Sequence, residues 1–143
     1  MLQKYFIRLL TVFILLIGLS SVIYAQGGPL AYGTTLNDTL NPGSPIIYTF
    51  SGNADDVVTL YVIGDSALEA SVNISNSSGQ PVGFSNDDTL TPMTNDVRVT
   101  SQLPTTDTYI VTVNNQGTSA GAFFLSLSVA DPIGITPLLD RTV

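Results

Sequence analysis

The chain has 143 residues, with 11 acidic and 4 basic side chains, a net charge of -7, and no cysteine, histidine or tryptophan. These absences exclude disulfides, thiolate nucleophiles and the usual cysteine- or histidine-containing zinc sites, and they remove the commonest general base. Because Arg98 and Arg141 are the only basic residues beyond Arg8, there is no basic patch for phosphate, and we expect no nucleic-acid partner.

Residues 1–25 have the layout of a secretory signal peptide. Lys4 and Arg8 give a cationic start, an uncharged apolar run follows, and Ala25 is a small residue at the expected cleavage point. The run is about the minimum length for a membrane span, so an uncleaved anchor at the membrane stays open as the alternative. Cleavage after Ala25 leaves 2 basic and 11 acidic residues, a charge of -9. We therefore expect a secreted, extracellular or cell-surface protein, and the lack of cysteine is typical of bacterial export.

Residues 26–130 carry short apolar runs bounded by Gly, Pro, Asn and Asp, and no helical periodicity, which predicts strands and turns. Two early runs, IIYTF (46–50) and VVTLYVI (57–63), are apolar on both faces, as expected of strands that are covered on both sides or lie near the centre of a sandwich. Later runs alternate more clearly, so each is expected to have one buried face: LEASVNI (68–74), VRVTSQL (97–103), YIVTV (109–113) and FFLSLSV (123–129).

About 7–9 short strands without a helix predict an all-β fold, an antiparallel, jelly-roll-like β-sandwich over residues 26–130. Residues 131–143 contain two prolines and are expected to leave the domain as an extended C-terminal tail.

Two turns have a more specific form. LPTTDTY leads into a strand at Tyr109, and GAF leads into the last strand at Phe123. With the order of the other segments, they make the chain resemble the bacterial pre-peptidase C-terminal domain from about Tyr32 to Val129. That family usually has Leu-Pro-x-x-Gly-x-Tyr and Gly-x-Tyr/Phe at these places. Here Asp107 replaces the usual glycine, and aspartate is among the few residues that tolerate the positive φ that glycine would allow.

The resemblance implies a jelly-roll sandwich that accompanies secreted peptidases and other exported proteins, and some members bind calcium. In this chain the acidic loop offers oxygen ligands of the kind that calcium takes: Asn86, Asp87, Asp88 and, at the base of the next strand, Asp96. Calcium is therefore the one cofactor that we consider. The competing interpretation is that Asn and Asp are simply turn formers on an acidic surface.

Two aromatic side chains, Tyr61 and Phe124, lie on the opposite face of their strands from the clearest core residues. They are the candidate ligand contacts, although such residues also pack under neighbouring loops. No histidine or Gly-x-Ser-x-Gly elbow is present to activate a serine, and a lysine base is ruled out once Lys4 leaves with the signal peptide. Asp87 and Asp88 are adjacent, which in a strand points them to opposite faces. We expect no enzyme activity.

Two functions fit these observations. The first is a secreted, non-catalytic accessory module that binds an extracellular polysaccharide or protein, or a secreted partner enzyme. The second is a structural or assembly protein of the cell exterior that self-associates through strand edges or through its C-terminal tail.

Overall fold

The computed structural model describes residues 25–65, 68–86 and 96–130, which form nine strands and no helix. Within these ranges nothing is long, helical and apolar enough to cross a membrane. The predicted signal peptide (except Ala25), the predicted tail at 131–143 and residues 87–95 of the acidic loop lie outside the described residues. The strands are β1 Ala25–Pro29, β2 Thr34–Leu40, β3 Ile46–Gly52, β4 Val57–Gly64, β5 Ala70–Ser75, β6 Pro81–Ser85, β7 Val97–Gln102, β8 Asp107–Asn115 and β9 Gly121–Ala130.

The strands form two sheets packed as a sandwich. The five-stranded sheet has the order β1-β3-β8-β5-β6, and the four-stranded sheet has the order β2-β9-β4-β7. All pairings among the described strands are antiparallel except that of β1, which lies parallel to β3. The predicted all-β sandwich is confirmed, with the parallel β1 as a departure from the antiparallel expectation.

The core is the interface between the two sheets, and strict alternation along the strands builds it. In β9 the odd-numbered residues from Phe123 to Leu127 are buried, while Phe124 and Ser128 are exposed. The same period of two places inner residues of β3, β4, β5, β7 and β8 between the sheets. Each buried Val, Leu, Ile or Phe contributes about 1.5–3 kcal/mol relative to an exposed position, so this continuous cluster is what holds a cysteine-free domain together.

Tyr109 anchors the turn that precedes β8. Its ring is fully buried and stacks on Phe50, with ring centroids 5.3 Å apart. Its hydroxyl donates a 2.6 Å hydrogen bond to the Thr105 carbonyl, four residues upstream. The LPTTDTY segment is thus a tyrosine corner, in which one side chain joins the core to the turn. The prediction that Tyr109 begins the core face of its strand is confirmed.

Asp107 does not use the left-handed conformation that the glycine of the family motif would allow. Among the described non-glycine residues only Asp55 has a positive φ, of 70°. Asp107 is instead the first residue of β8, and its carboxylate accepts hydrogen bonds from the Ser77 hydroxyl at 2.8 Å and from the Thr108 amide at 2.7 Å. The side chain therefore ties the turn after β5 to the start of β8.

Apolar residues on both faces of β4 predicted a strand that is covered on both sides or lies near the sandwich centre. β4 is an interior strand of its sheet, but its outer face is not covered, since Val57 is 38% and Ile63 is 50% exposed. Only the inner residues Val58, Leu60 and Val62 are buried, because no element among the described residues covers the outer face of the four-stranded sheet. This open face is where the candidate site lies.

Candidate functional site

The outer face of the four-stranded sheet carries three large side chains side by side. Tyr61 and Ile63 alternate with the buried residues of β4, and Phe124 does the same in β9. The strand register places Ile63 opposite Phe124 and Tyr61 opposite Ser126. Phe124 is 54% exposed, and Tyr61 is half-buried. We call Tyr61, Ile63 and Phe124 the apolar patch; it unites the two aromatic residues predicted as ligand contacts.

A groove of about 390 Å³ adjoins this patch at one end of the sheet. It is formed where the end of β4 and the residue after it meet the start of β9 and the second half of β2. Its walls combine the exposed Phe124 and Ile63 with two carboxylate residues, and we call it the β2–β4–β9 groove. Its lining residues are Asn37, Asp38, Thr39, Ile63, Gly64, Asp65, Ala122, Phe123 and Phe124.

Asp38, the first of these two acidic residues, is held by two hydrogen bonds. Its carboxylate accepts the Tyr48 hydroxyl at 3.0 Å and the Thr39 amide at 2.8 Å. The register of β2 against β9 sets Asp38 opposite Phe123, on the inward side of an edge strand. Burial of the Tyr48 ring, reinforced by the hydrogen bond to Asp38 and by its negative charge, raises the pKa of Tyr48 well above its usual value. The Tyr48 phenol is thus a neutral donor to the Asp38 carboxylate at neutral pH.

Asp65 is fixed to the start of β9. Its amide donates to the Ala122 carbonyl at 3.0 Å, and its carboxylate accepts the Ala122 amide at 3.2 Å. This approach requires glycine at position 121, since a Cβ there would lie 2.8 Å from an Asp65 carboxylate oxygen and 2.8 Å from the Leu68 Cβ. Glycine is therefore required at the first position of GAF because the chain that follows β4 packs closely against it.

The predicted calcium ligands are only partly described. Asn86 directly follows β6 and Asp96 directly precedes β7, so these two residues flank the connection between the sheets. Asp87 and Asp88 lie outside the described residues. In the part of the chain that the structure describes, no group of three or more His, Cys, Asp or Glu side chains is arranged to hold a metal ion. The calcium site stays a prediction.

Sequence reasoning missed several exposed or polar groups of interest. Ile63 shares the alternation that singled out Tyr61 and was visible by the same rule. Asp38 and Asp65 had no such signal, because they meet in one groove only through the pairing of distant strands. Phe84, 64% exposed on β6 of the other sheet, follows a strand too short for its alternation to be informative.

No family profile and no curated protein sequence matches the chain. Solved structures with the same fold include the pre-peptidase C-terminal domain of collagenase from Bacillus anthracis. It has a TM-score of 0.59 and 15% identity, over 74% of this chain and 95% of that one. The resemblance seen in the sequence is therefore confirmed at the level of the fold.

Two other structures share this fold. CorA, a surface-associated copper-binding protein of Methylomicrobium album BG8, has a TM-score of 0.61 and 10% identity, over 76% of this chain and 100% of that one. PliG of Aeromonas hydrophila, a periplasmic inhibitor of g-type lysozyme, has a TM-score of 0.50 and 14% identity, over 76% of this chain and 100% of that one. Identities this low establish the fold and not the ligand.

Proposed function

We propose that the chain is an exported, non-catalytic accessory module that binds an extracellular macromolecule or partner protein through the outer face of its four-stranded sheet. The observation that carries the proposal is the exposure of Phe124 and Ile63, at 54% and 50%, beside a groove. Large apolar side chains gathered next to a concavity are typical of binding surfaces.

The fold neighbours support binding and export in general terms. They are a domain of a collagenase, a surface-associated copper-binding protein and a periplasmic lysozyme inhibitor, and none of them is a catalytic domain. Copper binding is not part of the proposal, because the sequence contains neither the histidine nor the cysteine side chains that supply the imidazole and thiolate ligands of many copper sites.

Self-association through strand edges is the alternative, and the described edges offer it little support. On β2 the charged Asp38 occupies an inward position, and β1 and β6 are five-residue strands that each contain a proline. Short edges, prolines and inward charges all disfavour edge-to-edge pairing. The fourth edge, β7, approaches β6, where the Ser101 hydroxyl donates to the Val82 carbonyl at 3.1 Å.

Retention assays test the proposed function. The exported product of the full-length chain is passed at low salt over insoluble polysaccharide, collagen, immobilised g-type lysozyme and whole cells. We expect retention on at least one of them. Phe124→Ser should reduce it, and Phe84→Ser, which removes an even more exposed phenylalanine from the other sheet, should leave it unchanged. Loss of retention with both variants, or retention on none of the four, overturns the proposal.

Measuring the oligomeric state separates the binding module from the assembly protein. Assembly through strand edges or through the tail predicts that the exported product is an oligomer, and assembly through the tail further predicts a monomer when residues 131–143 are removed. If the exported product is a monomer both with and without residues 131–143, the binding module is supported and the assembly function is excluded.

A further inference from the structure

We propose that the outer face of the four-stranded sheet binds an extended, uncharged polysaccharide. This inference rests on the proposed function and names the class of its ligand. Three features of the face carry it: its charge, the arrangement of its two aromatic residues and the hydroxyl groups that continue their line across the sheet.

The charge of the outer face favours a neutral ligand. In strands β2, β4, β7 and β9 the only acidic residue is Asp38, which lies on the inner side, opposite Phe123. The outer-facing residues of these strands therefore offer no carboxylate to a basic partner. The described residues contain seven acidic side chains and one basic side chain, Arg98, so the domain as a whole repels an acidic partner. An uncharged ligand meets neither obstacle.

The two aromatic residues of the face are neighbours across the strands. Phe124 on β9 lies two residues from Ser126, which is the partner of Tyr61 on β4. Such diagonal neighbours in an antiparallel pair lie about 7–8 Å apart, within reach of aromatic side chains. The flat faces of a sugar ring carry C–H groups, which pack on the electron-rich face of an aromatic ring. Phe124 and Tyr61 therefore suit two rings of one extended sugar chain.

Hydroxyl groups continue the same line across the sheet. Thr100 on β7 lies diagonal to Tyr61 and opposite Thr59. The hydroxyls of Thr59 and Thr100 share a hydrogen bond of 3.0 Å, and the Ser128 hydroxyl donates to the Thr59 carbonyl at 3.3 Å. In the threonine pair one hydroxyl donates and the other keeps its hydrogen, and both oxygens keep a lone pair. This row thus offers positioned donors and acceptors to the hydroxyl groups at the edge of a sugar ring.

The outer face of the five-stranded sheet lacks this arrangement around its exposed phenylalanine. Phe84 on β6 lies opposite Asn73, and Asn73 lies opposite Thr112 on β8. Because these cross-strand neighbours are not aromatic, Phe84 has no second ring to share a sugar chain with. It is therefore the matched control for Phe124.

The test is retention of the exported product on cellulose, chitin and mannan, three insoluble and uncharged polysaccharides, at low and at high salt. Salt screens contacts between charges and leaves stacking and neutral hydrogen bonds in place. We expect retention on at least one of the three, equal at both salt concentrations. Retention on none of them, or retention that high salt abolishes, overturns the inference.

Matched variants locate the polysaccharide on the face. Phe124→Leu and Tyr61→Leu each keep an apolar side chain and remove the ring. Each should weaken binding by about two- to tenfold, the fold-change that corresponds to one aromatic contact, while Phe84→Leu should leave the affinity unchanged. Equal losses for Phe124→Leu and Phe84→Leu, or full affinity in both Phe124→Leu and Tyr61→Leu, overturn the inference.

An NMR titration of the isotope-labelled wild-type product locates the ligand without relying on the folding of a variant. The probes are soluble oligosaccharides of the same three polysaccharides. We expect the one that binds to shift the amide signals of Tyr61, Thr100 and Phe124 and to leave that of Phe84 in place. Shifts confined to the surroundings of Phe84 overturn the inference.

The failure of this inference is distinguishable from the failure of the proposed function. If collagen, lysozyme or whole cells retain the protein through Phe124 while none of the three polysaccharides does, the polysaccharide is wrong and the binding module stands. If none of these matrices retains the protein, both proposals are wrong.

Discussion

At the scale of single residues, the Asp107 carboxylate ties the turn after β5 to the first residues of β8. The pKa of Asp107 is lowered, first by the Ser77 hydroxyl and then by the Thr108 and Ser77 amides, all of which bind its charged form. A carboxylate with a lowered folded-state pKa stabilises the fold above its unfolded-state pKa of about 3.9, and that contribution is lost as the pH falls through the folded-state value.

We therefore expect Asp107→Asn to destabilise the domain at pH 6 and to have a shrinking effect below about pH 4. Urea unfolding at a series of pH values measures the difference between variant and wild type. Glu69→Gln, an exposed acid outside the turn, is the control. A difference that stays constant down to pH 2 would show that the hydrogen bonds of Asp107 do not depend on its charge.

Tyr48 gives the opposite pH dependence. Burial and Asp38 raise its pKa, so the neutral phenol stabilises the fold below the unfolded-state pKa of about 10, and the contribution is lost as the pH rises above it. Tyr48→Phe should cost about 1–2 kcal/mol at pH 7 through the lost hydrogen bond, and the difference from wild type should narrow above pH 10.

Unfolding experiments from pH 7 to pH 11 check this prediction. Tyr61→Phe, on the outer face, is the control and should change stability at pH 7 by no more than about 0.5 kcal/mol. If Tyr48→Phe and wild type lose stability in parallel above pH 10, ionisation of Tyr48 is not the cause of the loss of stability at high pH.

At the scale of elements, β4 shows where sequence patterns stop being informative. Its alternation gave the inner face correctly, since Val58, Leu60 and Val62 are all fully buried. Its outer face has the same apolar character whether another element covers it or a partner does. The sequence of one strand contains no information on that cover, so the pattern of β4 left open whether its outer face is buried or exposed.

The edge strand β1 was not predicted, because its Gln-Gly-Gly sequence has no alternating side chains. Gly27 lies so close to the Tyr48 ring that a Cβ would overlap it. Glycine is thus required by the packing of one strand on another, and this becomes visible only in the folded domain.

We expect Gly27→Ala to displace β1 and to cost about 1–3 kcal/mol, the usual range for overpacking. In a domain near 100 residues that is a fall in melting temperature of about 4–8 °C per kcal/mol. Gln26→Ala changes an exposed neighbour on the same strand and should have almost no effect. Equal melting temperatures for Gly27→Ala and wild type would mean that β1 does not pack on Tyr48 in solution.

At the scale of the whole molecule, the sandwich was predictable because the alternation along each strand identifies its buried face. The order of the strands in the sheets was not predictable from the sequence, and the groove depends on that order. Asp38, Asp65 and Phe124 belong to three separated segments that meet because β9 lies between β2 and β4. Of the site, only Tyr61 and Phe124 were found from the sequence, as local departures from the core face.

The acidic loop gives a prediction for the whole domain. If Asn86, Asp87, Asp88 and Asp96 share a calcium ion, binding would link the end of β6 to the start of β7. Calcium binding would stabilise the fold by about 2.7 kcal/mol when free calcium is a hundredfold above its dissociation constant. For a domain near 100 residues this corresponds to a rise in melting temperature of about 10 °C or more. Asp87→Ala and Asp88→Ala should abolish the rise, and Glu69→Gln should keep it.

Magnesium and sodium at matched ionic strength control for general screening of the acidic surface in that experiment. If addition of a chelator leaves the melting curve unchanged, the acidic loop is only a turn and does not bind calcium.

The proposed binding face is tested most directly by hydroxyl-radical footprinting of the exported protein, free and bound to the matrix that retains it. Phe124 and Phe84 are both more than half exposed, at 54% and 64%, and lie on different sheets, so each molecule carries its own reference. We predict that binding protects Phe124 and Tyr61 from oxidation and leaves Phe84 as reactive as in the free protein. Protection of Phe84 with undiminished oxidation of Phe124 would place the binding surface on the other sheet and contradict this account.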